Sequence, residues 1–508
     1  YYFYITVLEG ETNTRAGTAF VSQFAIWDHS GGVEALLSQL QAQLYSVRGD
    51  QPLNVTKQAV EQAAEHGRFT TNNLVSFRRK AASHVRVRVL GGSLTYGSYA
   101  CEGLPGYDGG LSKICNKHAY WQVLFQHLRR RGGNHDVAAH GGGGFGSKYY
   151  GSCLEELVPL ETDLVIIDVS INDIDGPRTA REKAFLFMIS QLFSRGVRAI
   201  VSLCWRMDKP VAMKQRSMKR VYRIQDENCA MASKLANRDA RVSVLSYPNF
   251  LTSACKDVPM QANSLKRPFW SADRLHAGHL GHAMMGTLLT LLLMRDTPRA
   301  HGHRLPLETK EPTLLASRHG SGSVCFLGER LRDVVASAGD GWAWTDEGRG
   351  KWGYVFTRRA PPLSNMHTQK LMLAIGQSMV ARPKLDDWIG QVRRESSGST
   401  VNIMAEVGYL QSYGEDYGAF HIDCMPCRCW PGASWFPFPD VTTRNDGARH
   451  SVWESTLFFL QCRASDLDAL QLGIHYNRTV VPSANGSKVK ILGLKLHQPD
   501  LIRGFEYS

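Results

Sequence analysis

The chain has 508 residues, 43% hydrophobic and 21% charged, with 59 Lys and Arg against 46 Asp and Glu and a formal net charge of +13. That length exceeds what one ordinary core organises, so two or three domains are expected, and the composition excludes a disordered or fibrous chain. The basic excess is spread out, with only short runs such as Arg129-Arg130-Arg131 and no nucleic-acid-binding motif, so it reads as a solvated surface and no nucleic-acid partner is expected.

The first eight residues, YYFYITVL, fit either a buried strand or the remnant of a signal or anchor helix, so the only membrane attachment expected is through an anchor upstream. Residues 1–80 form an N-terminal extension, partly helical over 33–47 and otherwise unassigned. From residue 81 to 297 the text becomes regular. Strand patterns at 85–90, 136–140, 163–170, 198–205 and 241–247 alternate with helical patterns at 114–131, 148–157, 177–195, 213–237 and 279–294. Apolar strands such as LVIIDVS require cover on both faces, which predicts a three-layer α/β/α domain with a mainly parallel sheet. The apolar run AMMGTLLTLLLM in the last helix is shorter than the roughly 20 residues a span needs, so it reads as a core helix. Residues 298–508 switch to short strands broken by Gly, Pro and Asn, at 353–357, 371–375, 400–408, 455–461 and 488–496, predicting an all-β, sandwich-like domain.

Eleven cysteines and three glycosylation sequons, at Asn54, Asn477 and Asn485, point to the secretory lumen or the cell exterior. The cluster Cys424-Met-Pro-Cys427-Arg-Cys429 lacks a second ligand pair of matching spacing, so disulfides, one to Cys462 among them, are expected in place of zinc. No metal or cofactor is called for. Trp342, Trp344, Trp352, Trp430 and Trp435 fit core packing first and a sugar-stacking face second.

In an open parallel sheet, ligands bind at the carboxyl ends of the strands. There the sequence places Gly91-Gly92-Ser93-Leu94, then Gly141 to Ser147 (GGGGFGS), then Ser170-Ile-Asn172-Asp173, and Asp273-Arg-Leu-His276 before the last helix. These are the parts for acyl transfer: a hydroxyl, a histidine to take its proton, a carboxylate to orient the histidine, and amides to receive an oxyanion. The same glycines also spell G-x-G-x-x-G from Gly141 to Gly146, with Asp168 downstream, and Ser147-Lys148 stand in the wrong order for a P-loop. A dinucleotide site would leave Ser93, Asn172, Asp273 and His276 unused.

The four blocks GGSLTYG, GGGGFGS, SIND and DRLH, in that order, resemble the SGNH hydrolases, also called GDSL-like esterases. The resemblance implies a flavodoxin-like α/β/α fold, Ser93 as nucleophile, His276 as base and Asp273 as its orienter. It also implies an oxyanion hole from the Ser93 amide, the Asn172 side chain and Gly146, or else Gly144. Two positions depart from the family: Gly92 stands where an Asp precedes the serine, and Ser170 stands where a Gly opens the third block. The stretches WAWTDEGRGKWGYVFT and VGYLQSYGEDYGAFHIDCMPCRC are similar to the β-rich tail of plant and green-algal proteins carrying an SGNH-type domain. The implied activity is a serine esterase removing acyl groups, acetate foremost, from a glycan. The alternatives are an O-acyltransferase using the same acyl-enzyme and a glycan-binding protein with a silent site.

Overall fold

The structure, a computed structural model, describes residues 63, 72–102, 115–173, 177–205, 215–254, 269–271, 276–294, 323–346, 352–357, 370–375, 382–395, 399–411, 418–430, 441–442, 452–477 and 488–497. The helix expected at 33–47, Asp273, Trp435 and the sequons at Asn54 and Asn485 lie outside them.

The first half runs α1 (Asn72–Lys80), β1 (Arg86–Gly91), α2 (Tyr120–Arg130), β2 (Asp136–Gly141), α3 (Ser147–Ser152), α4 (Leu154–Leu157), β3 (Leu164–Asp168), α5 (Arg178–Ser194), β4 (Ile200–Cys204), α6 (Gln215–Arg238), β5 (Val242–Ser246), α7 (Tyr247–Ala254) and α8 (His279–Met294). The strands form one sheet in the order β2-β1-β3-β4-β5, and every pair is parallel. That order, 2-1-3-4-5, is flavodoxin-like, with its switch point between β1 and β3. One face packs Val87, Val89 and Ile166 against Leu74 and Phe77 of α1, Leu124 of α2 and Leu288 of α8. The other packs Leu90, Val165 and Ile167 against Phe185 and Ile189 of α5 and Leu235 of α6. Each such side chain removed from water contributes about 1.5–3 kcal/mol, which is why β3 is apolar at successive positions. The run expected as a core helix is α8, with the residues from Met284 to Met294 buried.

The second half adds β6 (Val324–Leu327), β7 (Val335–Ala338), β8 (Trp342–Thr345), β9 (Gly353–Thr357), β10 (Lys370–Ala374), α9 (Arg382–Glu395), β11 (Thr400–Gln411), β12 (Ala419–Met425), β13 (Arg428–Trp430), β14 (Val441–Thr442), β15 (Val452–Arg463), β16 (Gln471–Asn477) and β17 (Lys488–Leu496). Two antiparallel sheets result, β14-β12-β16-β10-β7 and β13-β15-β11-β17-β9-β8, with β6 also on β17. Leu371, Ile422 and Ile474 of the first and Ile403, Val407 and Ile491 of the second share one core, the arrangement of a sandwich. The helix α9 is an addition to the all-β expectation; its Leu385, Trp388, Ile389 and Val392 recur at helical spacing and are buried in that core.

The second sheet is covered on its outer side as well. Leu410 of β11 and Leu492 of β17 belong to the cluster that contains Tyr150, Leu154 and Phe185 of the α/β half. Cys153, between α3 and α4, is bonded to Cys325 of β6. Ser152 Oγ donates to Glu406 Oε1 at 3.2 Å, and Lys148 pairs with Glu454 and Arg330 with Glu156. Further disulfides join Cys101 to Cys115, Cys204 to Cys229, Cys424 to Cys429 and Cys427 to Cys462, so the expected disulfide use of the Cys424 cluster holds. Among the described residues, no helix is long and apolar enough to cross a membrane.

Candidate functional site

At the switch point, β1 ends on Gly91 and the chain turns through Gly92 to Ser93. A Cβ on Gly92 would lie 1.6 Å from Asn172 Nδ2, so only glycine lets the Asn172 amide settle against the turn. The turn is closed by Gly92 N–H donating to Asp168 O at 3.0 Å and Tyr96 N–H donating to Gly92 O at 3.1 Å. Ser93 is 7% exposed. Its Oγ lies 2.7 Å from His276 Nε2, across 183 residues of sequence.

His276 is held from both sides. Its carbonyl accepts the Ser271 N–H at 2.9 Å, and its ring stacks on Tyr99 with centroids 4.9 Å apart and planes 22° from parallel. Tyr99 has φ 62°, in the left-handed region that β-carbon-bearing residues seldom occupy, so the stack is kept at a backbone cost. The neighbouring histidines are otherwise engaged. His279 Nδ1 meets Ala100 O, and His282, fully buried, accepts the Tyr120 N–H and meets Ser98 O. Burial pushes His282 down to about 3, so it stays neutral. The expected orienter, Asp273, lies outside the described residues.

Asn172 follows β3, and its Nδ2 is buried without a hydrogen-bond partner. Gly146 opens α3 and touches the same loop, since a Cβ there would lie 2.2 Å from Asp173 Oδ1 and 3.6 Å from the Asn172 carbonyl carbon. Asp173 fixes this meeting by accepting the Ser147 N–H at 2.8 Å and the Ser147 hydroxyl at 2.5 Å. Burial raises Asp173 to about 6 despite those bonds. Asn228 of α6 braces the loop from behind, donating to Ser170 O at 3.0 Å and Asp173 O at 2.8 Å. Ser170, the second position that differs from the resembled pattern, accepts the Trp205 N–H at 3.3 Å, linking the ends of β3 and β4. Gly144 has φ 80° and shapes the loop before Gly146.

Ser93, His276, Asn172 and Gly146 are therefore drawn to one edge by direct contacts. A hydroxyl on an imidazole nitrogen can pass its proton, and an unpartnered buried amide beside it can receive a developing negative oxygen. Asp168 is fully buried and accepts Thr95 Oγ1, so it is not placed as the ribose-binding carboxylate of a dinucleotide site. Asp173, Asn228 and Tyr99 were not singled out from sequence. Asp173 alone carried a signal, standing beside Asn172 in SIND.

No family model and no curated protein matches the chain. Among solved structures it is similar to a two-domain esterase (CEX) active on acetylated mannans, at 13% identity and TM-score 0.43, with 86% of this chain and 98% of that chain covered. It is also similar to a catalytic mutant of Axe2, an acetylxylan esterase from Geobacillus stearothermophilus, at 17% identity and TM-score 0.31, covering 42% of this chain and 94% of that one. A third is the acetyl xylan esterase AlAXEase, at 16% identity and TM-score 0.30, covering 40% and 98%. None of these likenesses assigns an activity to this chain.

Proposed function

We propose that this protein is a serine esterase of the SGNH type that removes acyl groups, acetyl first among them, from a carbohydrate through an acyl-enzyme. The observation that carries the reading is the 2.7 Å contact of Ser93 Oγ with His276 Nε2 beside the unpartnered Asn172 amide. In the first step His276 Nε2 takes the Ser93 proton while Oγ bonds to the acyl carbon. The former carbonyl oxygen, now negative, is received by the Ser93 and Gly146 amides and Asn172 Nδ2. As the C–O bond breaks, His276 returns the proton to the leaving sugar hydroxyl. A water molecule then repeats the sequence, releasing the acid and restoring Ser93. Asp273, three residues before His276, is assigned to hold the imidazole tautomer.

The carbohydrate half of the reading is supported by the β8 and β9 edge. Trp352 is 39% exposed and stacks on Trp344 at 5.8 Å and 18°, a flat apolar surface of the kind a pyranose ring covers. Asp346, directly after β8, acts on Tyr96, three residues past Ser93. Burial and then the Asp346 charge raise the Tyr96 phenol. Trp342, by contrast, is buried against Phe356.

The test is labelling with a fluorophosphonate probe at neutral pH and location of the adduct by peptide mass spectrometry. A Ser93 adduct lost in Ser93→Ala and His276→Ala, with acetate released from acetylated mannan or xylan, is expected. A folded sample that neither labels nor releases acetate overturns the reading. Trp352→Ala should weaken turnover of the polymer while sparing a small aryl acetate.

A further inference from the structure

Beneath the nucleophile turn lies a carboxyl that, among the described residues, has no Lys or Arg paired with it. Asp168, the last residue of β3, pairs in register with Gly91 and is 0% exposed. A Cβ on Gly91 would come within 2.9 Å of Asp168 Cβ, so glycine admits it. Asp168 ties down both ends of the turn: its carbonyl accepts the Gly92 N–H, and Oδ2 accepts the Thr95 hydroxyl at 3.1 Å. The Thr95 N–H also donates to the carboxyl. Thr95 Oγ1 in turn lies 2.8 Å from Tyr120 OH, which supplies the proton for that bond. Asp168 Oδ1 is buried and has no partner.

Other buried carboxyls here meet cations directly: Asp163 meets Lys80 and Arg198, and Asp239 meets Arg241. Among the described residues, the charge that acts on Asp168 is that of His276, and it favours the carboxylate. A buried anion is costly unless a counter-charge faces it, and His276 becomes that counter-charge when it takes the Ser93 proton. We propose that Asp168 is a positioning residue of the Ser93–His276 pair: it anchors the turn at Gly92 and Thr95 and supplies the buried negative charge that favours the imidazolium. It brings to the turn, from the adjacent strand, the carboxyl that the family places before the serine and that Gly92 lacks. This rests on the esterase reading above.

The remaining titratable groups around it stay neutral. Burial, and after it charged neighbours including Asp168, hold the Tyr120 and Tyr150 hydroxyls far above their ordinary value, and His282 is neutral. Burial lifts Asp168 to about 7, against the pull of Thr95 and His276. Asp168 must then lose its proton before it supplies that charge, which adds a proton to the acid limb of any reaction at Ser93.

The experiment is the second-order rate of fluorophosphonate labelling at Ser93 against pH, in the full chain, for wild type, Asp168→Asn and Thr95→Val. In wild type the acid limb is expected to steepen toward two protons. Asp168→Asn should show a one-proton limb and a plateau lower by on the order of tenfold. Equal slopes and plateaus overturn the proposal and leave the esterase reading standing. Should Asp168→Asn not fold, Thr95→Val reports instead: loss of the hydroxyl donor should move the limb to higher pH, and an unmoved limb overturns the proposal. Wild type that never labels overturns the esterase reading. The Asp168 assignment, which rests on that reading, falls with it.

Discussion

Gly92 stands where the sequence block it resembles carries a carboxylate, and the structure gives the difference a physical meaning. With no side chain at 92, Asn172 Nδ2 occupies the space beside the serine turn. Gly92→Ala, and Gly92→Asp more strongly, should therefore push Asn172 out, even though the second introduces the residue that the SGNH pattern carries there. Asn172→Ala should lower kcat by about 10²–10³ with a smaller change in KM, and Gly92→Ala should approach it, as steady-state kinetics on an aryl acetate would report. Equal activity of Gly92→Asp and wild type would separate the two residues. Ser93, Asn172 and His276 were legible in the sequence because their residue types and block order carry chemistry. Asp168 and Tyr99 were not, because their roles arise from strand register and a ring stack that join distant segments.

At the scale of elements, the α/β half was read almost strand for strand, since five apolar runs alternating with helical ones leave few other arrangements. The expected helix at 148–157 is interrupted at Cys153, whose φ of −134° leaves the helical region and whose sulfur is tied to Cys325. No local pattern announces a bond across 172 residues. The helix α9 was legible and passed over: its i, i+3, i+4, i+7 apolar spacing lies within an otherwise strand-rich region. The short helix α3 depends on Asp173, which takes the Ser147 amide and hydroxyl. Asp173→Ala should remove about 1 kcal/mol of stability, the cost of hydrogen bonds lost at the helix start, measured by denaturant unfolding. It should also lower kcat, because Gly146 loses the group it packs against; unchanged kcat would dissociate Gly146 from the oxyanion hole.

Across the whole molecule, the second β-sheet is a wall shared by the sandwich core and the α/β half, with Leu410 and Leu492 in one cluster with Tyr150 and Phe185. Replacing Cys153 and Cys325 by Ser should cost about 2–5 kcal/mol, read as a lowered Tm. Retention of a single unfolding transition would show that the apolar contacts and ion pairs couple the halves without the disulfide. Acid should loosen the same interface. Burial alone would raise Glu406, but His497, Ser455 and Lys495 hold it down to about 2 from 4.5. Its folded-state pKa is depressed, so its stabilisation is present above about 4.5 and is lost as the pH falls towards 2. The Tm of Glu406→Gln should therefore start lower and fall less steeply over that window; a parallel curve would remove Glu406 from the account. A wall packed against the α/β half and tied to it by a disulfide also has little room to swing. If the Trp344–Trp352 surface grips a polymer, its distance from Ser93 is a fixed ruler, and deacetylation along a chain should recur at one preferred offset from the gripped sugar.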